Sequence, residues 1–228
     1  MRKRTGIIWL LALCTMVSTS TYAHGYSHDS SFKDYIAWEN EHPEVMRCFP
    51  VPMDDGGFMF LTEYVLECNK KLRNGELDHF SAACYTCSKS GITLFFQTVR
   101  INRSDLPLFC SRVVYKWDNS FAFTYDSEDD PGIIRLDFDD KDGYSIETIT
   151  VCIPILKPSL KKPPLLEWDP IETSSIISGL FDLAKSKNVT LYLSAWGVIE
   201  EYTLTQQEKE CFAAAARGLS SALHQMND

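Results

Sequence analysis

The spacing of apolar residues along the chain changes from one stretch to the next. Leu61, Tyr64, Val65, Cys68 and Leu72 follow offsets of 0, 3, 4, 7 and 11, the stripe of an amphipathic helix. Lys70, Lys71 and Arg73 fall in its last turn, where cations suit the helix dipole, and Asn74-Gly75 can end it. Upstream, Ser31 and Asp34 resemble a capping box with Phe32, Tyr35 and Ile36 on one side, and Pro43 stops that short helix. From residue 91 to 156 the runs are β-branched and aromatic. Ile92–Ile101, Arg112–Trp117, Ser120–Tyr125, Ile133–Phe138 and Tyr144–Ile155 read as strands. Asp118-Asn119 and the Asp139–Gly143 segment read as hairpin turns.

Lys157–Pro164 is stiff, basic and proline-rich, and reads as a boundary. Beyond it Asp169-Pro170-Ile171-Glu172 combines a cap, a first-turn proline and an acid, the start of a helix continued by Ile176, Ile177, Leu180, Phe181 and Ala184. Val189–Leu193 and Val198–Thr203 read as strands around Ala195-Trp196-Gly197. Thr205 and Glu208 form a second capping box. Cys211, Phe212, Ala215, Leu219, Ala222 and Leu223 mark the face of a final helix.

These elements predict an α+β fold. An antiparallel sheet over about 91–156 carries N-terminal helices and a C-terminal helix–hairpin–helix packed on it, stabilised by disulfides. The expected divisions are a signal peptide at 1–23, a helical start plus sheet at 24–156, a linker at 157–164 and the helix–hairpin–helix at 165–228. That last piece is marginal as an independent core, so it is expected to dock as one body with the sheet.

The first residues suggest an address. Met1-Arg2-Lys3-Arg4 is basic, Ile7–Val17 is apolar, and Thr21-Tyr22-Ala23 places small residues where signal peptidase cleaves. A secreted or periplasmic protein is the expectation. Cleavage after Ala23 would remove three cations and no acid, taking the balance from −9 to −12. Such acidity disfavours nucleic acid and anionic membrane surfaces as partners.

In an exported chain disulfides are the default. The candidates are Cys48, Cys68, Cys84, Cys87, Cys110 and Cys152, with Cys211 the expected buried thiol on the final helix. Cys84-Tyr85-Thr86-Cys87 has redox spacing, but a strand-like run follows where a thioredoxin-type site needs a helix. Structural bridging is therefore the favoured reading. After cleavage, His24 could offer its amine and imidazole to copper, with His79 or His28 supplying a second imidazole. A cleavage that merely falls before a histidine explains the same residue. Asp126, Glu128, Asp129, Asp130, Asp137, Asp139, Asp140 and Asp142 form an acidic belt, yet an EF-hand register would put Phe138 and Ile149 at ligand positions. No nucleophile elbow, zincin or phosphate-loop motif is present.

By elimination the sequence points to a binding protein for another protein, without cofactor. Tyr115, Trp117 and Trp196 are its contact-patch candidates. The alternatives are a motif-less secreted hydrolase, thiol redox chemistry at Cys84/Cys87, or a structural part of a cell-surface assembly.

Overall fold

The computed structural model describes residues 45–103, 108–118, 121–141, 144–158, 166–167, 169–195 and 197–225. Two compact units divide the chain, residues 46–216 and residues 1–45 with 217–228. Of the second unit only residue 45 and the final turns of the last helix, 217–225, are described.

Two antiparallel sheets build the first unit. Sheet A contains β1 (Phe49–Pro52), β2 (Phe58–Leu61), β3 (His79–Ser88), β4 (Gly91–Asn102), β8 (Tyr144–Pro158) and β7 (Ile134–Lys141), in that spatial order, with β9 (Leu166–Glu167) on β8. Sheet B runs β11 (Val198–Thr203), β10 (Val189–Ala195), β5 (Arg112–Trp117), β6 (Phe121–Asp126). Three helices are described: α1 (Glu63–Arg73), α2 (Pro170–Lys185) and α3 (Gln206–Gln225).

The expected single sheet over 91–156 is therefore corrected. Strands begin at Phe49, ahead of α1, and the β5–β6 hairpin leaves its sequence neighbours to pair with β10. The C-terminal hairpin does not pack on a finished sheet. It supplies half of the second one. Pairing Val113, Tyr115 and Trp117 with Leu193, Leu191 and Val189 buries both apolar sets on one face. The disulfide framework is also corrected, because no cysteine pair among the described residues lies at bonding distance. Apolar burial on the faces of two sheets does the work assigned to cross-links.

Local signals hold where they depend on neighbours in sequence. Asp169 caps α2, accepting from Ile171 N at 2.9 Å and Glu172 N at 3.0 Å. The α1 stripe buries Val65, Cys68 and Leu72 against Phe80, Ala82 and Cys84 of β3. On the opposite face of sheet A, Phe96 meets Phe212 of α3 at 5.3 Å and Tyr115 of β5 at 5.5 Å. These rings join helix and both sheets in one core.

Helix α3 also closes a sheet edge. Beside Ser81 and Ala83, β3 has no strand partner other than β4 among the described residues. The Ser81 N–H donates to Glu208 Oε1 at 2.7 Å, and the Cys211 thiol reaches the Ala83 carbonyl at 3.6 Å. The other Glu208 oxygen accepts from Thr205 N at 2.6 Å, which completes the capping box. From the same helix, Lys209 Nζ donates to Ser186 O at 2.8 Å, placing a cation at the negative end of α2. Glu208→Ala should cost about 2–3 kcal/mol, since it strands a buried N–H and removes charge-assisted bonds. An unchanged urea midpoint would show that the carboxylate is dispensable.

Candidate functional site

Charged residues set into apolar strands are the clearest chemical feature of the fold. His79, Arg100 and Glu147 stand side by side across β3, β4 and β8. Glu147 is almost wholly buried, at 1% exposure. Its carboxylate lies 3.2 Å from Arg100 Nε, accepts from Asn102 Nδ2, and accepts from Leu108 N at 3.3 Å. Sheet B supplies a second carboxylate to the same guanidinium, since Arg100 also pairs with Glu200 of β11. Tyr202, two residues on, donates its hydroxyl to Glu200 at 2.5 Å, and its ring lies 4.5 Å from that of His79.

One arginine thus bridges two carboxylates from two sheets. Burial pushes the Glu200 carboxyl up, but the hydrogen bonds from Arg100 and Tyr202 outweigh it and hold the group below its ordinary value. Burial, together with the bond to Glu200, pushes the Tyr202 hydroxyl up to about 12. Burial lowers Arg100, yet the Glu200 bond prevails and its affinity for the proton rises. Glu147 Oε1 accepts from both Asn102 and Leu108, and Glu200 Oε2 accepts from both Arg100 and Tyr202. The arrangement fastens β11 to sheet A.

Fastened on its inner side, β11 is open on its outer side. The bond from Leu204 N to Val189 O fixes the strand's alternation. Main-chain groups of Glu200 and Tyr202 face β10, and those of Ile199, Glu201 and Thr203 face away from it. The side chains of these three are exposed, Ile199 at 68%. Val198 is exposed at 54%. Among the described residues no strand pairs with this edge.

Edge strands β1 and β7 carry residues that discourage strand addition. Edge strand β1 carries Pro50 and Pro52, which lack donors. Edge strand β7 carries Arg135, Asp137, Asp139, Asp140 and Lys141. Beside β6, Phe123 presses so closely on α2 that a Cβ on Gly179 would lie 2.5 Å from the ring. A cleft of about 500 Å³ opens there, between Trp117 and Phe123 and the helix residues Ser174, Ser178 and Asp182.

The residues singled out from sequence fall elsewhere. Tyr115 and Trp117 point into the core, at 0% and 4% exposure, and form no outer contact patch. The alternation that fills sheet B takes them inward. Trp196 and His24 lie outside the described residues, as does His28. His79 is half-buried beside Tyr202. No group of three or more metal-ligating side chains occurs among the described residues.

None of the six disulfide candidates, Cys48, Cys68, Cys84, Cys87, Cys110 and Cys152, is bridged. Cys84 and Cys87 lie three residues apart on β3, so their side chains leave opposite faces of the sheet. A redox pair needs adjoining sulfurs, which this strand separates. Cys211 is fully buried, as its helical stripe implies. Burial pushes the Cys84 thiol up to about 12 and that of Cys211 up to about 11. Both should resist an aromatic disulfide reagent at pH 7 and react only in denaturant. Labelling of either in the folded protein would contradict this packing.

Compared with known protein families, curated proteins and solved structures, the chain shows no significant match.

The sequence reading missed Arg100, Glu147 and Glu200. Their signal was a charge inside an otherwise β-branched run, in Thr98-Val-Arg-Ile101 and Ser145-Ile-Glu-Thr148. Buried charges of this kind require partners.

Proposed function

We propose that this chain is an exported binding protein for another polypeptide, which it receives as an added strand along the outer edge of β11. One observation carries the reading: among the described residues β11 is an unpaired margin without proline, and its outward main-chain groups at Ile199, Glu201 and Thr203 lie beside the exposed apolar side chains of Val198 and Ile199. Strand addition draws affinity from main-chain hydrogen bonds and specificity from alternate side chains. The Arg100–Glu200 tie supports the reading, because a receiving edge must keep its register. Export is supported by the basic, apolar and small-residue order of positions 1–23.

The test uses Glu201→Pro. The Glu201 N–H faces away from β10, so proline there deletes an outward donor and spares the existing ladder. The mature protein is titrated with ten-residue extended peptides rich in threonine and valine, one carrying a lysine and one a glutamate. Amide exchange is followed at Ile199, Glu201 and Thr203. Protection of Ile199 and Thr203 in the parent chain, lost in the proline variant, is the expected result. Exchange unaltered by either peptide in the parent chain would overturn strand addition.

A further inference from the structure

We infer that the strand received at β11 is basic, runs antiparallel to it, and places a lysine or arginine two residues before a β-branched apolar residue. This deepens the reading above and rests on it. The residues that would face an incoming strand on the outer side of the sheet are Ile199, Glu201 and Thr203 in chain order. Glu201 is exposed and has no cationic partner among the described residues. Its neighbour across β10 is Tyr192. Glu200 on the inner side is already committed to Arg100 and Tyr202, so Glu201 is the charge left to select.

Directly opposite side chains on one face of an antiparallel pair interact, and opposite charges there are favourable. An antiparallel strand passes Thr203, then Glu201, then Ile199. Read from its own N-terminus, it therefore presents a residue for Thr203, a cation for Glu201 and an apolar β-branched residue for Ile199. Both sheets of the protein are antiparallel throughout, so this direction continues the existing geometry. The chain's balance of −9 favours a basic partner at longer range.

A second copy of the chain meets like charges in the two registers centred on the glutamates. Two-fold pairing centred on Glu201 sets that residue opposite its own copy, and pairing centred on Glu200 sets Glu200 opposite Glu200. Like charges directly opposite each other are destabilising.

The experiment compares three ten-residue peptides on a threonine–serine background: Lys-Thr-Val, Glu-Thr-Val and the reversed Val-Thr-Lys. Each is titrated against the parent chain and Glu201→Lys, with affinity read from amide shifts of β11. The lysine peptide should bind the parent about fivefold tighter than the glutamate peptide, and Glu201→Lys should invert that order. The reversed peptide should be weaker than Lys-Thr-Val. Equal binding of all three at β11 would overturn this inference and leave strand addition standing. Binding of none would remove strand addition itself. A dimer in sedimentation, held by β11, would replace the basic partner with a second copy.

Discussion

Arg100→Met is expected to destabilise the protein by about 3–5 kcal/mol, the cost of leaving a buried charge without its partner. Methionine keeps much of the arginine stem but removes the guanidinium from between Glu147 and Glu200. Glu147 suffers most, because at 1% exposure water cannot reach it. Asn102 and Leu108 would still donate to it, but neither carries the balancing charge. If Arg100→Met fails to fold, the double variant Arg100→Met/Glu147→Gln decides the matter, since it removes both buried charges together. Urea unfolding should show that the double variant recovers at least half of the loss. Equal instability of both would mean that Arg100 acts through its packing and not its charge.

The pH dependence of the same network has a definite sign. The Glu200 carboxyl is held below its unfolded value, so the protein gains stability above that value and loses it as pH falls through the folded one. Glu200→Gln should lower stability at pH 7 and flatten the acid limb of the stability curve. Equal slopes below pH 5 in parent and variant would remove Glu200 from this account.

Gly91→Ala should be at least as damaging, by about 3 kcal/mol or more, through backbone overlap and an unfavourable dihedral. Gly91 opens β4 with φ +125°, and a Cβ there would sit 1.9 Å from the Leu156 carbonyl oxygen. That oxygen belongs to the main chain of β8, so relief requires the strands to part. The adjoining register shift between Ile92 and Thr93 lies at the same point of the β4–β8 ladder. Gly75→Ala, at φ +72° with open space around it, serves as the comparison and should cost much less. A thermal midpoint for Gly91→Ala no lower than that of Gly75→Ala would refute the close approach.

These effects arise from contacts that hydrophobic spacing could not disclose. The α1 stripe, the Asp169 cap, the Thr205–Glu208 box and both hairpins around 118 and 142 were legible because each depends on residues a few positions apart. The partition into two sheets was not. Arg112–Trp117 has the same alternation whether it pairs with β4 or β10, and pairing partners more than seventy positions away leave no local mark. The cysteines misled for a related reason. Their number and an export-like N-terminus favoured bridges, whereas Cys68, Cys84 and Cys211 behave as small apolar side chains in one buried cluster. Tyr115 and Trp117 read as contact residues only while the direction of β5 was unknown.

The arrangement at Ser81 has a bearing on how much of the C-terminus the protein can spare. A carboxylate and a thiol from the final helix stand in for a missing strand. A truncated product ending before Gln206 would bare the β3 flank between Phe80 and Ala83. Two copies could then zip together along it, so clipping the tail should promote self-association.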